Sequence, residues 1–232
     1  MRSALRPTSL LLLLAAALAV SRASALTPGP TIVRECPSCT NQVSQFTIGS
    51  GNTMGAKWWT DGKMEAPMLP FMPALVKCPH CEKLLWLEDA KELGQLKLWS
   101  TTNAWPKARA VVKPDEQDYL AAAKVPKFSR ARELYARQQA WWLANDPLRR
   151  KGGTSVAWSG ARAENLDRLF ALLNVADECE LQQKAEIARE RGKFEQCLKL
   201  LAREFSTACR TEAAGVLRRL AGEKNSQVQA LP

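Results

Sequence analysis

The sequence predicts an α+β fold, a small β-rich module followed by a mostly α-helical half, and three observations predict it. Two C-P-x-C tetrapeptides, Cys36-Pro37-Ser38-Cys39 and Cys78-Pro79-His80-Cys81, are separated by thirty-eight residues. The stretches beside them alternate apolar and polar residues, the period of a half-buried strand. From Ala163 to near the C-terminus the apolar residues instead recur at i, i+3, i+4 and i+7, the stripe of a helix packed on one face.

Ahead of the first tetrapeptide, residues 1–25 read as a signal peptide. Arg2 and Arg6 give a positive start, Leu10 to Val20 is an unbroken run of eleven apolar residues, and Ala23-Ser24-Ala25 fits a small-x-small cleavage site, so the expected cut falls between Ala25 and Leu26. Eleven residues are too few to cross a bilayer, which takes ~20, and no other stretch comes closer. Loss of Arg2, Arg6 and Arg22 would lower the formal charge of +10 to roughly +7. The localisation expected is exported, periplasmic or secreted; the alternative is a cytoplasmic protein whose translation starts downstream, for example at Val33. Thr27-Pro28-Gly29-Pro30 makes 26–32 read as a linker.

The cysteines carry the sharpest chemistry. A C-x2-C turn lets two thiolates reach one ion about 2.3 Å away, and a second turn completes a tetrahedron, the arrangement of a structural Zn²⁺ site. Four sulfurs leave no open position for water or substrate, and such a site supplies on the order of 10 kcal/mol of folding energy. Cys36, Cys39, Cys78 and Cys81 are therefore the candidate ligands, in a zinc-ribbon-like module over 33–100. Disulfides among the same four are one alternative, favoured by an oxidising compartment. Thiol–disulfide exchange is another, because Cys78-Pro79-His80-Cys81 matches the active-site tetrapeptide of some exported oxidoreductases of the thioredoxin fold. That chemistry needs the first cysteine at a helix N-terminus within a βαβ unit, whereas Leu84 to Leu87 reads as a strand.

Within the module, Val43 to Ile48 reads as a strand, Gly49-Ser50-Gly51-Asn52 as a turn, Met54 to Thr60 as the returning strand and Asp61-Gly62 as a tight turn. Glu65 to Pro73, with prolines at 67, 70 and 73, should run extended and bury its apolar side chains. Residues 101–153 hold a connector and two helices. The first covers Asp115 to Lys124, with acids in its first turn; the second is capped by Ser129 and ended by Asn145-Asp146-Pro147. Four stripes make 154–224 a set of helical hairpins: Leu166 to Leu173, Leu181 to Ala188, Phe194 to Phe205 and Ala213 to Leu220. Residues 225–232 are expected to fray as a disordered tail. Cys179, Cys197 and Cys209 read as reduced, small core residues in preference to a disulfide.

Ala185 to Leu201 resembles the middle of a tetratricopeptide repeat, in which a Gly-x-aromatic step joins two helices and a small residue three positions on lets them pack closely. Gly192, Phe194 and Cys197, with Leu201 behind them, take those positions. The Trp-x2-Leu-Gly opening and the terminal Pro are absent, so the resemblance covers about one and a half repeats and implies a short bundle rather than a solenoid. More widely, Gly51-Asn52-Thr53-Met54-Gly55 and Trp59 to Pro70, set between paired C-P-x-C motifs and followed by a helical half, resemble a group of uncharacterised bacterial proteins. That resemblance covers most of the chain after Val33 and implies no activity.

The function expected is that of a non-enzymatic, zinc-stabilised scaffold that holds a protein partner. His80 is the only histidine and lies inside a C-P-x-C motif, so no Ser-His-Asp set forms elsewhere. Gly49-Ser50-Gly51 lacks the helix and the Lys-Ser/Thr pair of a phosphate loop, and Asp61 and Glu65 read as turn and surface acids. Nucleic-acid binding is a further alternative: the chain is basic, and Trp58 and Trp59 beside Lys57 could stack on bases. Aromatic residues this close to an apolar hairpin more often belong to the core.

Overall fold

Each C-P-x-C tetrapeptide closes a β-hairpin. In a computed structural model, which describes residues 26–98, 104–150, 153, 156–206 and 211–232, the chain is α+β, with short strands up to Ala110 and helices after it. The expected leader, Ala25 of its cleavage pair and Cys209 lie outside the described residues.

The first hairpin pairs β2 (Thr31–Glu35) with β3 (Gln42–Gln45). The second pairs β7 (Leu75–Lys77) with β8 (Leu84–Trp86). Two more strands extend the first into a sheet ordered β10-β3-β2-β9, with β9 (Glu92–Leu96) antiparallel to β2 and β10 (Arg109–Ala110) parallel to β3. Two small ribbons stand beside it: β1 (Thr27–Pro28) with β4 (Ile48–Ser50), and β5 (Lys57–Trp58) with β6 (Met64–Glu65).

Residues 26–32 are therefore not a linker. Prolines lack an N–H but keep a carbonyl acceptor; the Thr47 hydroxyl donates to the Pro30 carbonyl at 2.5 Å, Thr27 and Pro28 pair with β4, and Ile32 is buried in β2. The expected strand over 43–48 divides at Phe46 because the chain passes from one sheet to the other. Gly49 and Ser50 belong to β4, and the turn falls later, where the Ala56 N–H donates to the Thr53 carbonyl.

Helix α1 (Glu116–Ala122) starts on a capping box, in which the Asp115 carboxylate accepts from the Asp118 N–H and the Asp118 carboxylate from the Asp115 N–H. Helix α2 (Arg130–Arg149), capped by Ser129, runs through Pro147 instead of ending there. Pro147 brings no N–H to the helix ladder; the Arg149 guanidinium reaches back along the helix to the Trp142 carbonyl at 2.7 Å and to the Asp146 carboxylate. Helices α3 (Gly160–Leu172), α4 (Glu178–Glu190), α5 (Phe194–Leu200) and α6 (Thr211–Gly222) follow. Gly192, at φ +70°, reverses the chain between α4 and α5, and the Lys193 N–H donates back to the Ala188 carbonyl at 2.8 Å. A left-handed glycine closed by that bond is a Schellman motif. Among the described residues no helix is long and apolar enough to cross a membrane.

Apolar packing crosses the middle of the chain. Leu75 and Trp86 of the second hairpin pack with Tyr119 and Leu120 of α1 and Ala136 and Ala140 of α2. Separate clusters surround the four cysteines, Trp141 with α3, and the α4–α5–α6 contact. The C-terminal segment is ordered, contrary to the expected frayed tail. The Leu231 N–H donates to the Trp58 carbonyl at 2.7 Å, the Thr60 N–H donates to the Gln229 carbonyl at 2.9 Å, and Val228 is buried. The ribbon around Trp58 offers backbone groups that need partners, and the segment brings them. One cysteine expectation is also corrected: Cys197 is free and buried, as a reduced core residue would be, but Cys179 is disulfide-bonded.

Candidate metal centre

The two C-P-x-C turns have one construction. In the first, the Cys36 N–H donates to the Asn41 carbonyl and the Thr40 N–H to the Cys36 carbonyl; in the second, the Cys78 N–H donates to the Lys83 carbonyl and the Glu82 N–H to the Cys78 carbonyl, all at 2.9 Å. Pro37 and Pro79 restrict φ at equivalent positions. Thr40 and Glu82, each directly after the second cysteine, are left-handed at φ 59°. Neither is glycine, and a non-glycine residue there costs roughly 1–2 kcal/mol. The same strain at the same place in both turns marks a conformation that the surrounding sheet imposes.

These turns bring four sulfurs together. Cys36 Sγ lies 3.9 Å from Cys81 Sγ, Cys39 Sγ lies 3.8 Å from Cys78 Sγ, and all four sulfurs are within 4.8 Å of one another. Sulfurs placed tetrahedrally at 2.3 Å from a centre stand about 3.8 Å apart, so these two of the four edges that join the turns have the length of such a site. Each first cysteine faces the other turn's second, as a local two-fold relation requires. All four are free. These residues can therefore hold a metal ion.

The local electrostatics divide the thiols. Cys36 is fully buried, and burial pushes its thiol up to about 12. Cys39 is half-buried; its sulfur accepts from the Asn41 side-chain amide at 3.5 Å, and that donor together with the Asn41 backbone N–H lowers it to about 6. A divalent cation overrides such differences, because a coordinating thiol is deprotonated outright. His80 contributes its backbone N–H to Cys78 Sγ at 3.5 Å, while its Nε2 lies 3.1 Å from the Gln42 carbonyl. The imidazole thus ties the second turn to β3 and is not among the four ligands.

The other singled-out residues separate. Gly192, Phe194, Cys197 and Leu201 do meet, at the α4–α5 turn, with Cys197 and Leu201 buried against Ala185, Ala188 and Leu217. Trp58, Trp59 and Lys57 form no open stacking platform: Trp59 is 9% exposed, its Nε1 donates to Glu65 at 3.1 Å, and the Arg149 guanidinium lies 5.4 Å from its ring centre.

A second polar site was missed. Asp61, read as a turn acid, is fully buried, as are Asn145, Glu186 and Arg189. One Asp61 oxygen accepts from Asn145 Nδ2 at 3.0 Å and from Arg149, and the other from the Lys63 N–H at 3.1 Å. The same Asn145 amide donates to Glu190 at 3.0 Å, whose second oxygen takes Trp141 Nε1 at 2.8 Å. Glu186 holds Arg189 through both oxygens, at 2.6 and 2.7 Å, and Arg189 donates onward to the carbonyls of Asn225 and Gln227. A signal for it existed: Gln182, Ala185, Glu186 and Arg189 share one face at i, i+3, i+4 and i+7, which puts charge on the apolar stripe of α4.

No protein-family model, curated protein sequence or solved structure matches this chain.

Proposed function

We propose that the protein is a non-enzymatic scaffold in which one structural Zn²⁺ joins the two hairpins of a zinc-ribbon-like module and the helical half engages a protein partner. The observation that carries this reading is the sulfur tetrad: two turns of the same construction present four free cysteines whose sulfurs lie within 4.8 Å of one another, two of the pairs at 3.8 and 3.9 Å. Four thiolates satisfy Zn²⁺ completely, so the ion would add folding energy, on the order of 10 kcal/mol, and no reaction centre.

Thiol–disulfide exchange has less support. A nucleophilic cysteine of that kind sits at a helix N-terminus and is accessible, whereas Cys78 lies fully buried in the β7–β8 turn and faces Cys39. Nucleic-acid binding keeps the formal charge of +10 in its favour but loses Trp59, which is packed inside. The Schellman-closed α4–α5 hairpin, with Cys197 at its close contact, supports a tetratricopeptide-like interaction surface. A disulfide at Cys179 suits export to an oxidising compartment, in which metal capture before oxidation would protect the other four thiols.

Metal analysis of the purified chain combined with thiol counting tests the reading. The expected result is one zinc per chain and four thiols that react only after the metal is withdrawn. A metal-free protein with a reducible Cys78–Cys81 bond would instead move the weight to the redox alternative. N-terminal sequencing of the exported protein is expected to begin at Leu26.

A further inference from the structure

We propose that an apolar cleft beside the Pro67–Pro73 strap, with two pockets that share its lining residues Met64 and Phe71, binds a single long-chain carboxylate. The cleft is separate from the sulfur tetrad and does not depend on the metal reading. Its largest lobe, about 720 Å³, is walled by Trp58, Met64, Phe71 and Trp142; the polar side chains lining it, Gln45, Thr47 and Ser50, are uncharged. Two smaller lobes, about 240 and 470 Å³, share Met64 and Phe71 with it. Sites for small ligands have this size and this mostly apolar lining.

The cleft is prepared in advance. Trp142 donates its indole N–H to the Asp61 carbonyl at 3.0 Å, so the buried polar cluster fixes one wall. The strap also lines the cleft, and contacts fix it near its start and just past its end. Gly51 lies so close to it that a Cβ there would stand 2.3 Å from the Met68 carbonyl oxygen, and the Ala74 N–H donates to the Tyr135 hydroxyl at 3.0 Å. Between those anchors Phe71 remains 47% exposed.

The chemistry of the walls selects the occupant. A peptide would bring a carbonyl and an N–H per residue that need partners, and a wall carrying Pro67, Pro70 and Pro73 has no N–H to give at those positions. An acyl chain needs none. The mouth of the 240 Å³ lobe carries Lys63, engaged by Asp146, and Lys113, and no acid lines it; that of the 470 Å³ lobe carries Lys57 together with Glu65. Lys57 and Lys113 are exposed and form no ion pair among the described residues. An apolar body with a negative head fits that division of apolar lobe and basic mouth.

Titration of the full-length chain with cis-parinaric acid, a fluorescent long-chain carboxylate, followed by displacement with palmitate, measures the site. One saturable site excited by energy transfer from tryptophan and emptied by palmitate is expected. Phe71→Asp, at an exposed position, is expected to weaken binding by roughly tenfold. The pair Lys57→Glu and Lys113→Glu should weaken palmitate by a similar factor and leave its methyl ester unaffected. Circular dichroism and metal content matching the unsubstituted chain confirm that each variant is folded. Absence of saturable binding to the folded chain overturns the proposal. So does affinity unchanged by Phe71→Asp, or a signal obtained only with anionic vesicles or only with an apolar peptide. Zinc content, measured on the same samples, fails or succeeds independently of these outcomes.

Discussion

Glu82 and Thr40 show how much of the centre is decided by single backbone conformations. Both are left-handed at φ 59°, where glycine escapes the contact between Cβ and the carbonyl that costs other residues roughly 1–2 kcal/mol. Glu82→Gly should therefore raise the thermal midpoint by the equivalent of about 1 kcal/mol, after allowance for the greater freedom of glycine in the unfolded chain. Thr40→Gly should gain less, because the Thr40 hydroxyl donates to the Cys39 carbonyl at 2.7 Å. A melting series in which Glu82→Gly is no more stable than the parent would remove strain from the account. The cysteines were legible in the sequence because C-x2-C spacing is a local property of one turn. Their left-handed neighbours were not, since threonine and glutamate carry none of the signal that glycine would have given. Asp61 was misread for a related reason: Asp-Gly marks a turn whether or not the rest of the chain later covers it.

At the scale of elements, helices with strong local signals followed the sequence, and segments defined by distant partners did not. Asp115 and Ser129 cap α1 and α2 where side-chain chemistry places them. The ends of the chain went the other way. Polar or proline-containing residues at 26–32 and 225–232 look unstructured alone, yet each completes an edge formed elsewhere, the first on β4 and the second on the Trp58–Thr60 backbone. Removal of residues 225–232 would expose that edge, uncover the site of Val228 and leave the Arg189 guanidinium without the carbonyls of Asn225 and Gln227. The expected loss is roughly 2–4 kcal/mol in urea unfolding. Val228→Asp should reproduce much of it from within the full-length chain. Equal urea midpoints for the truncated and complete proteins would mean that the segment rests on the surface without contributing.

Across the whole molecule, the β-rich module and the helices are joined by the buried cluster as well as by the packing of Trp86 against α1 and α2. Three carboxyls, Asp61, Glu186 and Glu190, meet two guanidiniums there, while Lys63 and Asp146 pair at the edge. Arg149 engages Asp61 and Arg189 engages Glu186, so among the described residues Glu190 accepts from the neutral donors Trp141 and Asn145. Burial, reinforced by the charges of Glu186 and Asp61, raises Glu190 well above the usual carboxylate range, and burial raises Asp61 as well. A carboxyl with a higher pKa in the folded state binds a proton that the unfolded chain has released. Its stabilising effect is therefore complete below the unfolded value, about 4.3 for glutamate, and declines as pH rises through the folded value. Glu190→Gln removes the titration but keeps only one of the two oxygens that accept from Trp141 and Asn145. The stability of the substituted protein relative to the parent should rise from pH 4 toward neutral and alkaline pH, by about 1.4 kcal/mol for each pH unit that separates the unfolded value from the folded one. Denaturant unfolding at a series of pH values decides the matter: parallel stability profiles for the two proteins would show that Glu190 holds no proton and that the cluster accommodates its excess charge in another way.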